Sequence, residues 1–458
     1  MATSYLTQTL GSGPTLGTKC TISYWAKRSG LSASDNGGVF GGYSNASGTN
    51  SDNFHIGFNS TDQFYCWGQD GGSSAYNLES TRIARDISGW YHVCWIFDST
   101  EGSSSDRIKL YVNGVQETSW AASSYPSSSL AFPITKNGNI RTFGRFTNTS
   151  GAQRYFNGSV SNLVIVDGSA LAATTFGEVD STSGIWKYKP PSGVTFGTNG
   201  CWLKGENSGN LGLDSGASNN FSSGGGTPIQ SIDTPSNVLP VFNSLEYYGW
   251  TGSTMSNANT TYATPTAGHR YLRATLGAAS GKFYFECKLD SSAGAGADIV
   301  GLTDHEMKDG TDELTQDASS IGYVNDGSVR KDGSNVDSGE ATYTSGDIIS
   351  VAVDITNSKI YFRKNDGSWL NSADPVAGTN GYSIDAIDTT SSGFYHFAAG
   401  DWVNPGTDTW SANFGNGYFG TTQVASAGTS SSGDDSVWEY DCPTGYYGMN
   451  TKNLNTYG

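Results

Sequence analysis

Short apolar–polar alternations bounded by Gly, Asn, Asp or Ser recur along almost the whole chain, and a helical period hardly occurs. Residues 20–27 and 107–112 alternate in this way, whereas 91–98 are apolar almost throughout, as a central strand requires. The run 107–112 ends in Asn113-Gly114, where both residues tolerate positive φ and a tight hairpin is expected. Residues 160–166, followed by Asp167-Gly168, close this first block. With 61 glycines punctuating 458 residues and 12% aromatics to fill a core, the chain reads as all-β.

The pattern divides the chain. Residues 1–187 read as one β-sandwich, and 188–240, with Pro190-Pro191 and Gly224-Gly225-Gly226, as an extended linker or arm. Residues 241–422 read as a second sandwich, with strands at 282–289, 348–354 and 359–363. The tail 423–458 is acidic at Asp434-Asp435, then aromatic at Trp438, Tyr440, Tyr446 and Tyr447, so it is expected to dock on its own domain or on a partner. The two blocks share a grammar. Ser88-Gly89-Trp90 leads into a buried strand ending at Asp98, then a run closing on Asn113-Gly114. Ser345-Gly346-Asp347 leads into one ending at Asp354, then a run closing on Asn365-Asp366-Gly367.

A net charge of −17 opposes binding to nucleic acid through its phosphates and to an anionic membrane surface. None of the six cysteines forms a CxxC pair, and several sit within apolar runs, so they are expected as buried small hydrophobes. Residues 1–6 show neither the basic region nor the apolar core of a secretory signal, and no stretch is long and apolar enough to insert in a membrane. Synthesis in the cytosol is the expectation.

The segments Thr21-Ile22-Ser23-Tyr24-Trp25, Gly89-Trp90-Tyr91-His92-Val93, Asp106 through Gly114 and Phe156-Asn157-Gly158-Ser159-Val160 resemble a laminin-G-like domain of the concanavalin A-like lectin/glucanase superfamily. Gly281 through Glu286, Ile321-Gly322-Tyr323, Gly346 through Asp354 and Ile360 through Asn365 resemble a SPRY domain. Both resemblances imply antiparallel, jelly-roll-type β-sandwiches. The order of the pieces, with Phe196-Gly197-Thr198-Asn199-Gly200 and Asp233-Thr234-Pro235-Ser236-Asn237 between the domains and Cys442 through Leu454 after them, is similar to virion structural or tail-fibre proteins of marine bacteriophages. That resemblance implies a location on the virion surface, other virion proteins as partners, a homo-oligomer (a trimer by analogy) and host-surface glycans as ligands.

Glycan binding by such sandwiches pairs an exposed aromatic with Asn, Asp or Gln. Trp67 with Gln69 and Asp70, Trp369 with Asn371 beside Asn365 and Asp366, and Trp402 between Asp401 and Asn404 fit that description. Calcium would need several oxygen ligands, for which Asp35-Asn36, Asp70, Asp326, Asp332 and Asp337 are candidates without diagnostic spacing. A retaining glycosidase needs two carboxylates about 5–5.5 Å apart, and no strand has the Glu-x-Asp-x-Glu pattern that would place them. The acidic run Asp304-His305-Glu306 through Asp309, Asp312 and Glu313 reads as a solvated loop, and His92 and His396 as core or half-buried residues. The expectation is a non-enzymatic virion structural protein, a fibre, appendage or capsid decoration, with a free lectin or adhesin and a polysaccharide hydrolase as the alternatives.

Overall fold

The computed structural model describes residues 4–31, 37–44, 52–147, 153–246, 253–264, 270–292, 294, 298–305, 314–316, 319–401, 407–425, 427–431 and 433–458. The chain forms two compact units, Met1–Gln230 and Ser231–Gly458. Among the described residues the α-helix Thr451–Tyr457 is the only one, and the remaining regular structure is β with short 3-10 turns.

The first unit pairs an eight-stranded with a six-stranded antiparallel sheet. The larger runs Trp120–Ser124, Ser73–Ile83, Gln63–Asp70, Phe54–Phe58, Gly37–Ser44, Asn139–Phe143, Tyr5–Thr9, Ser222–Gly225. The smaller runs Cys201–Leu203, Gly158–Asp167, Lys19–Arg28, Tyr91–Asp98, Ile108–Val112, Val115–Gln116. Alternation sends Phe54, Ile56, Phe64 and Leu78 from one sheet against Ile22, Tyr24, Trp95 and Leu110 from the other, in one continuous core. Each such side chain contributes about 1.5–3 kcal/mol by leaving water. The second unit repeats the plan. Phe285, Val351 and Phe362 of one sheet meet Val300, Tyr323 and Phe397 of the other. The all-β structure expected from the alternations, in the antiparallel sandwiches that the resemblances imply, is what the chain adopts.

The shared grammar has a shared physical basis. In the first unit Lys19 and Asp98 face each other across paired strands and close an ion pair at 2.8 Å. In the second, Lys282 and Asp354 do the same at 2.9 Å. Asn113, at φ 49°, accepts the His92 N–H through Oδ1 at 2.8 Å, and Asn365, at φ 50°, accepts the Ile348 N–H in the same way at 2.8 Å. The Asn113-Gly114 hairpin forms as expected, pairing Val112 with Val115.

The segment 188–240 is divided between the units at Gln230 and folds back on itself at the Leu203–Asp214 bridge. Cys201–Leu203 and Ser222–Gly225 are edge strands of the first unit, and Phe221 enters its core. Leu239 is buried in the second unit, where Val238 N–H donates to Thr451 Oγ1 at 2.9 Å. The tail packs on the second unit: Tyr447–Gly448 pairs in parallel with Lys282–Ser291, and Trp438 and Tyr446 are fully buried. All six cysteines are buried and unbridged.

Three of the four outward sheet faces carry a further apolar layer. On the larger sheet of the second unit Tyr284, Ala352 and Tyr361 lie under Trp438, Cys442 and Tyr446 of the tail. On its smaller sheet Tyr271, Ile299, Val324 and Ala398 lie under Leu314. On the smaller sheet of the first unit Cys94, Val164 and Val166 lie under Ala173 and Phe176. The outward face of the eight-stranded sheet carries no such buried cluster among the described residues, and Trp67 stands on it.

Candidate functional site

Strand parity builds this face. Phe54, Ile56, Phe64, Cys66, Tyr76 and Leu78 point into the core, so Asn53, His55, Tyr65, Trp67, Gln69 and Asn77 occupy the opposite side. Register sets His55 beside Trp67 and Trp67 beside Asn77. The His55 ring stacks on Phe146 with centroids 4.0 Å apart and lies 5.0 Å from the Trp67 ring, forming an aromatic row. His55 Nε2 donates to the Thr147 carbonyl at 3.0 Å, which leaves Nδ1 without the proton. Burial lowers its pKa to about 4, so the row is uncharged at neutral pH.

Amides flank the row. Gln69 N–H donates to the Asn53 carbonyl at 2.7 Å, which brings their side chains to one end of the face. Asn53 is fully buried, yet neither its Oδ1 nor its Nδ2 finds a partner among the described residues. Gln69 Oε1, Asn77 Oδ1 and Thr147 Oγ1 are likewise buried and unpaired. Leaving each of these atoms without a hydrogen bond costs about 1–3 kcal/mol. Trp67 is half-buried, with Gln69 beside it as the sequence predicts. Asp70 turns away to Lys136, whose Nζ lies 2.5 Å from its Oδ1 and 3.2 Å from Asp52 Oδ1. Sequence reasoning missed Asn53, His55 and Asn77. Parity within 53–57 and 65–69 was readable, but the register that sets these residues and Asn77 beside Trp67 was not.

The second predicted platform lines a cleft of about 440 Å³ with Glu340, Lys364, Ser368, Trp369, Asn371 and Ser372. Trp369 is half-buried. The Arg363 guanidinium lies 4.8 Å from its ring centroid, and Tyr361 meets it edge-on. Asn371, at φ 57°, donates its main-chain N–H to Glu340 Oε1 at 2.7 Å and its Nδ2 to the Asn380 carbonyl at 3.0 Å. Its side chain therefore shapes the cleft rim, and Asn365 is spent on its turn. Trp402 and Asn404 lie outside the described residues, and their neighbour Asp401 is buried.

Two constellations bear on catalysis. Ser23 Oγ lies 2.8 Å from His92 Nε2, but Trp186 Nε1–H donates to His92 Nδ1 at 3.0 Å. That donor fixes the proton on Nε2, so the imidazole donates to Ser23 instead of deprotonating it. Burial lowers the His92 pKa to about 3, in keeping with a neutral packed ring. Asp304 corrects the solvated-loop expectation: it is buried, and its Oδ2 accepts the Ser391 N–H at 2.5 Å. Ser391 Oγ lies 3.0 Å from His305 Nε2, and His305 Nδ1 is in ion-pair contact with Asp304 Oδ1, so the carboxylate meets both the ring and the Ser391 loop. Residues 306–313 lie outside the described residues.

The residues present do not fit a calcium ion at the expected positions. The Lys136 ammonium stands between Asp52 and Asp70, where a cation would. Asp326 accepts from Ser328 within its own turn, whereas Asp332 accepts from the Ser319 N–H and Asp337 from the Tyr382 hydroxyl, both distant in sequence. Asp35 and Asn36 lie outside the described residues, and among the described ones no three His, Cys, Asp or Glu converge as a metal centre.

Residues 3–174 match the family model of the concanavalin A-like lectin/glucanases superfamily, and residues 282–378 match the SPRY domain model. No curated protein matches the chain. Among solved structures, the SPRY domain of human HERC1 is 15% identical, covering 35% of this chain and 91% of its own, with a TM-score of 0.27. The heptameric SAP-like pentraxin of Limulus polyphemus is 18% identical, covering 37% and 72%, with a TM-score of 0.26. Domain 4 of AbnA, a GH43 extracellular arabinanase of Geobacillus stearothermophilus solved with arabinotriose, is 15% identical, covering 34% and 64%, with a TM-score of 0.23.

Proposed function

We propose that this chain is a non-catalytic glycan-binding protein that reads sugars on the outward face of its first sandwich. The observation that carries the reading is that face itself. It bears half-buried Trp67 beside the packed rings of His55 and Phe146, flanked by buried amide oxygens without partners, and among the described residues it carries none of the buried apolar clusters found on the other three faces. Sugar rings present C–H faces to aromatics and hydroxyls to amides, and this surface offers both. The cleft beside Trp369 is a second candidate for the same chemistry. The match of residues 3–174 to a lectin-containing superfamily supports the reading.

The finer proposal is a surface component of a bacteriophage particle, a homo-oligomeric fibre, appendage or capsid decoration that meets host-surface glycans. Its support is the order of segments noted in the sequence. Screening the purified chain and its Trp67→Ala variant on an array of bacterial-surface and plant glycans tests the binding. Retention by discrete glycans that Trp67→Ala abolishes is expected, and no retention would sink it. Mass spectrometry of purified particles tests the location, and absence of the chain from them would leave a free lectin.

A further inference from the structure

Five unpaired atoms near Trp67 have a composition that narrows the ligand. Three are amide oxygens, Asn53 Oδ1, Gln69 Oε1 and Asn77 Oδ1, one is the Thr147 hydroxyl and one is the Asn53 amide nitrogen. Asn53 and Gln69 are 0% and 8% exposed, so they meet a ligand in a desolvated setting where a mismatched group is heavily penalised. The three amide oxygens ask for O–H or N–H donors, and only Asn53 Nδ2 and the Thr147 hydroxyl could donate to a carboxylate or sulfate. Glu79 accepts from Asn77 Nδ2 at 3.4 Å and from Asn59 Nδ2 at 3.0 Å, which leaves Asn77 its oxygen and one N–H for a newcomer.

The charges beside this set pair with one another. Asp52 adjoins Asn53, Asp70 adjoins Gln69, and the Lys136 ammonium bridges the two carboxylates, with Gly71 N–H donating to Asp52 Oδ1 at 3.1 Å. Two of its three ammonium protons go to these carboxylates, and one lysine against two aspartates leaves a net negative charge that repels an acidic sugar. It also occupies the position between two carboxylates that a divalent ion would take. The chain's net charge of −17 works against anionic ligands as well.

We infer that the Asn53–Gln69–Asn77 end of this face recognises a neutral, hydroxyl-rich oligosaccharide directly, with Lys136 serving as a built-in counter-ion in place of a metal. The inference rests on the glycan-binding reading and goes further by fixing the class of sugar and the absence of a metal requirement.

The test is calorimetric titration of the full chain with neutral trisaccharides of glucan, mannan, galactan and chitin, and with sialyllactose, oligogalacturonate and a sulfated galactan. Each is measured in EDTA and in excess calcium. Binding of a neutral sugar, unchanged by calcium, is expected. Asn53→Ala should weaken it at least about tenfold while leaving the unfolding midpoint equal or raised, because it removes atoms that have no partner in the free protein. In Lys136→Ala, calcium should now strengthen binding, since two bare carboxylates remain. Binding that needs calcium in the wild-type chain, or that favours the anionic sugars, would overturn the inference and leave glycan binding standing. So would a Lys136→Ala variant indifferent to calcium, or an Asn53→Ala variant that binds as wild type. Binding of none of these sugars, by a chain that also retains nothing on the array, would remove both readings.

Discussion

At Glu286 a carboxylate lies beneath the tail with four donors aimed at it. They are Tyr284 Oη and Asn413 Nδ2, both at 3.0 Å, and the Glu439 and Tyr440 N–H groups at 2.8 and 2.9 Å. Burial pushes its pKa up to about 7 even so. Nothing in the strand 282–289 announced that this one polar position would hold a segment 150 residues later, because the partner is a tertiary event. Asp62 is a comparable pin in the first unit. It is buried at φ 67°, pairing with Arg28 at 2.9 Å and Arg85 at 3.0 Å, and the Arg28 guanidinium lies over the Phe58 ring. Asp62→Ala strands the Arg28 charge in the core and should cost about 3–5 kcal/mol in urea unfolding of the full chain. A loss below 1 kcal/mol would show that Arg28 relaxes to water.

Strands and hairpins were legible wherever two signals agreed. The Asn113 and Asn365 turns followed from residues that tolerate positive φ after an alternating run, and the Lys19–Asp98 and Lys282–Asp354 pairs underlie the shared grammar. Trp67 and Gln69 were found from residue type beside a Gly-Gly turn. His55 and Asn53, one strand over, were missed because only register reveals them. The segment 188–240 was harder, since edge strands such as Cys201–Leu203 are too short to show a period. Its partition gives a prediction. A fragment of residues 231–458 should unfold cooperatively, whereas 241–458 loses buried Leu239 and the Val238–Thr451 bond and should be destabilised by about 2–4 kcal/mol. Equal denaturant midpoints for the two fragments would place the boundary later.

The whole molecule joins two units whose buried ionisable groups respond oppositely to pH. In the second unit burial raises Glu286 to about 7, and burial with Asp408 nearby raises Asp298 to about 8. Such carboxyls keep protons in the folded state that the unfolded chain has lost, so their contribution is present in acid and falls as pH rises toward 8. In the first unit burial lowers His55 to about 4 and His92 to about 3. Unfolding lets these rings take up protons below about 6.5, so their contribution is present at neutral pH and falls as the solution becomes acid. His396 of the second unit, lowered to about 4 by burial, opposes its two carboxyls in part. Calorimetry on fragments 1–230 and 231–458 between about pH 5 and 7.5 should show the first losing stability on acidification and the second gaining it. Glu286→Gln should flatten the slope of the second, and parallel slopes in both fragments would contradict these protonation states.

All of the functional account turns on whether the outward face of the first sandwich holds a sugar. The most direct measurement is an equilibrium titration of the full chain with its best-retained oligosaccharide, followed by intrinsic tryptophan fluorescence, for wild type, Trp67→Ala and Trp369→Ala. The account predicts saturable binding with a change in indole emission, an affinity at least about tenfold weaker in Trp67→Ala, and a smaller effect or none in Trp369→Ala. Wild-type affinity in Trp67→Ala would contradict it and move recognition off this face.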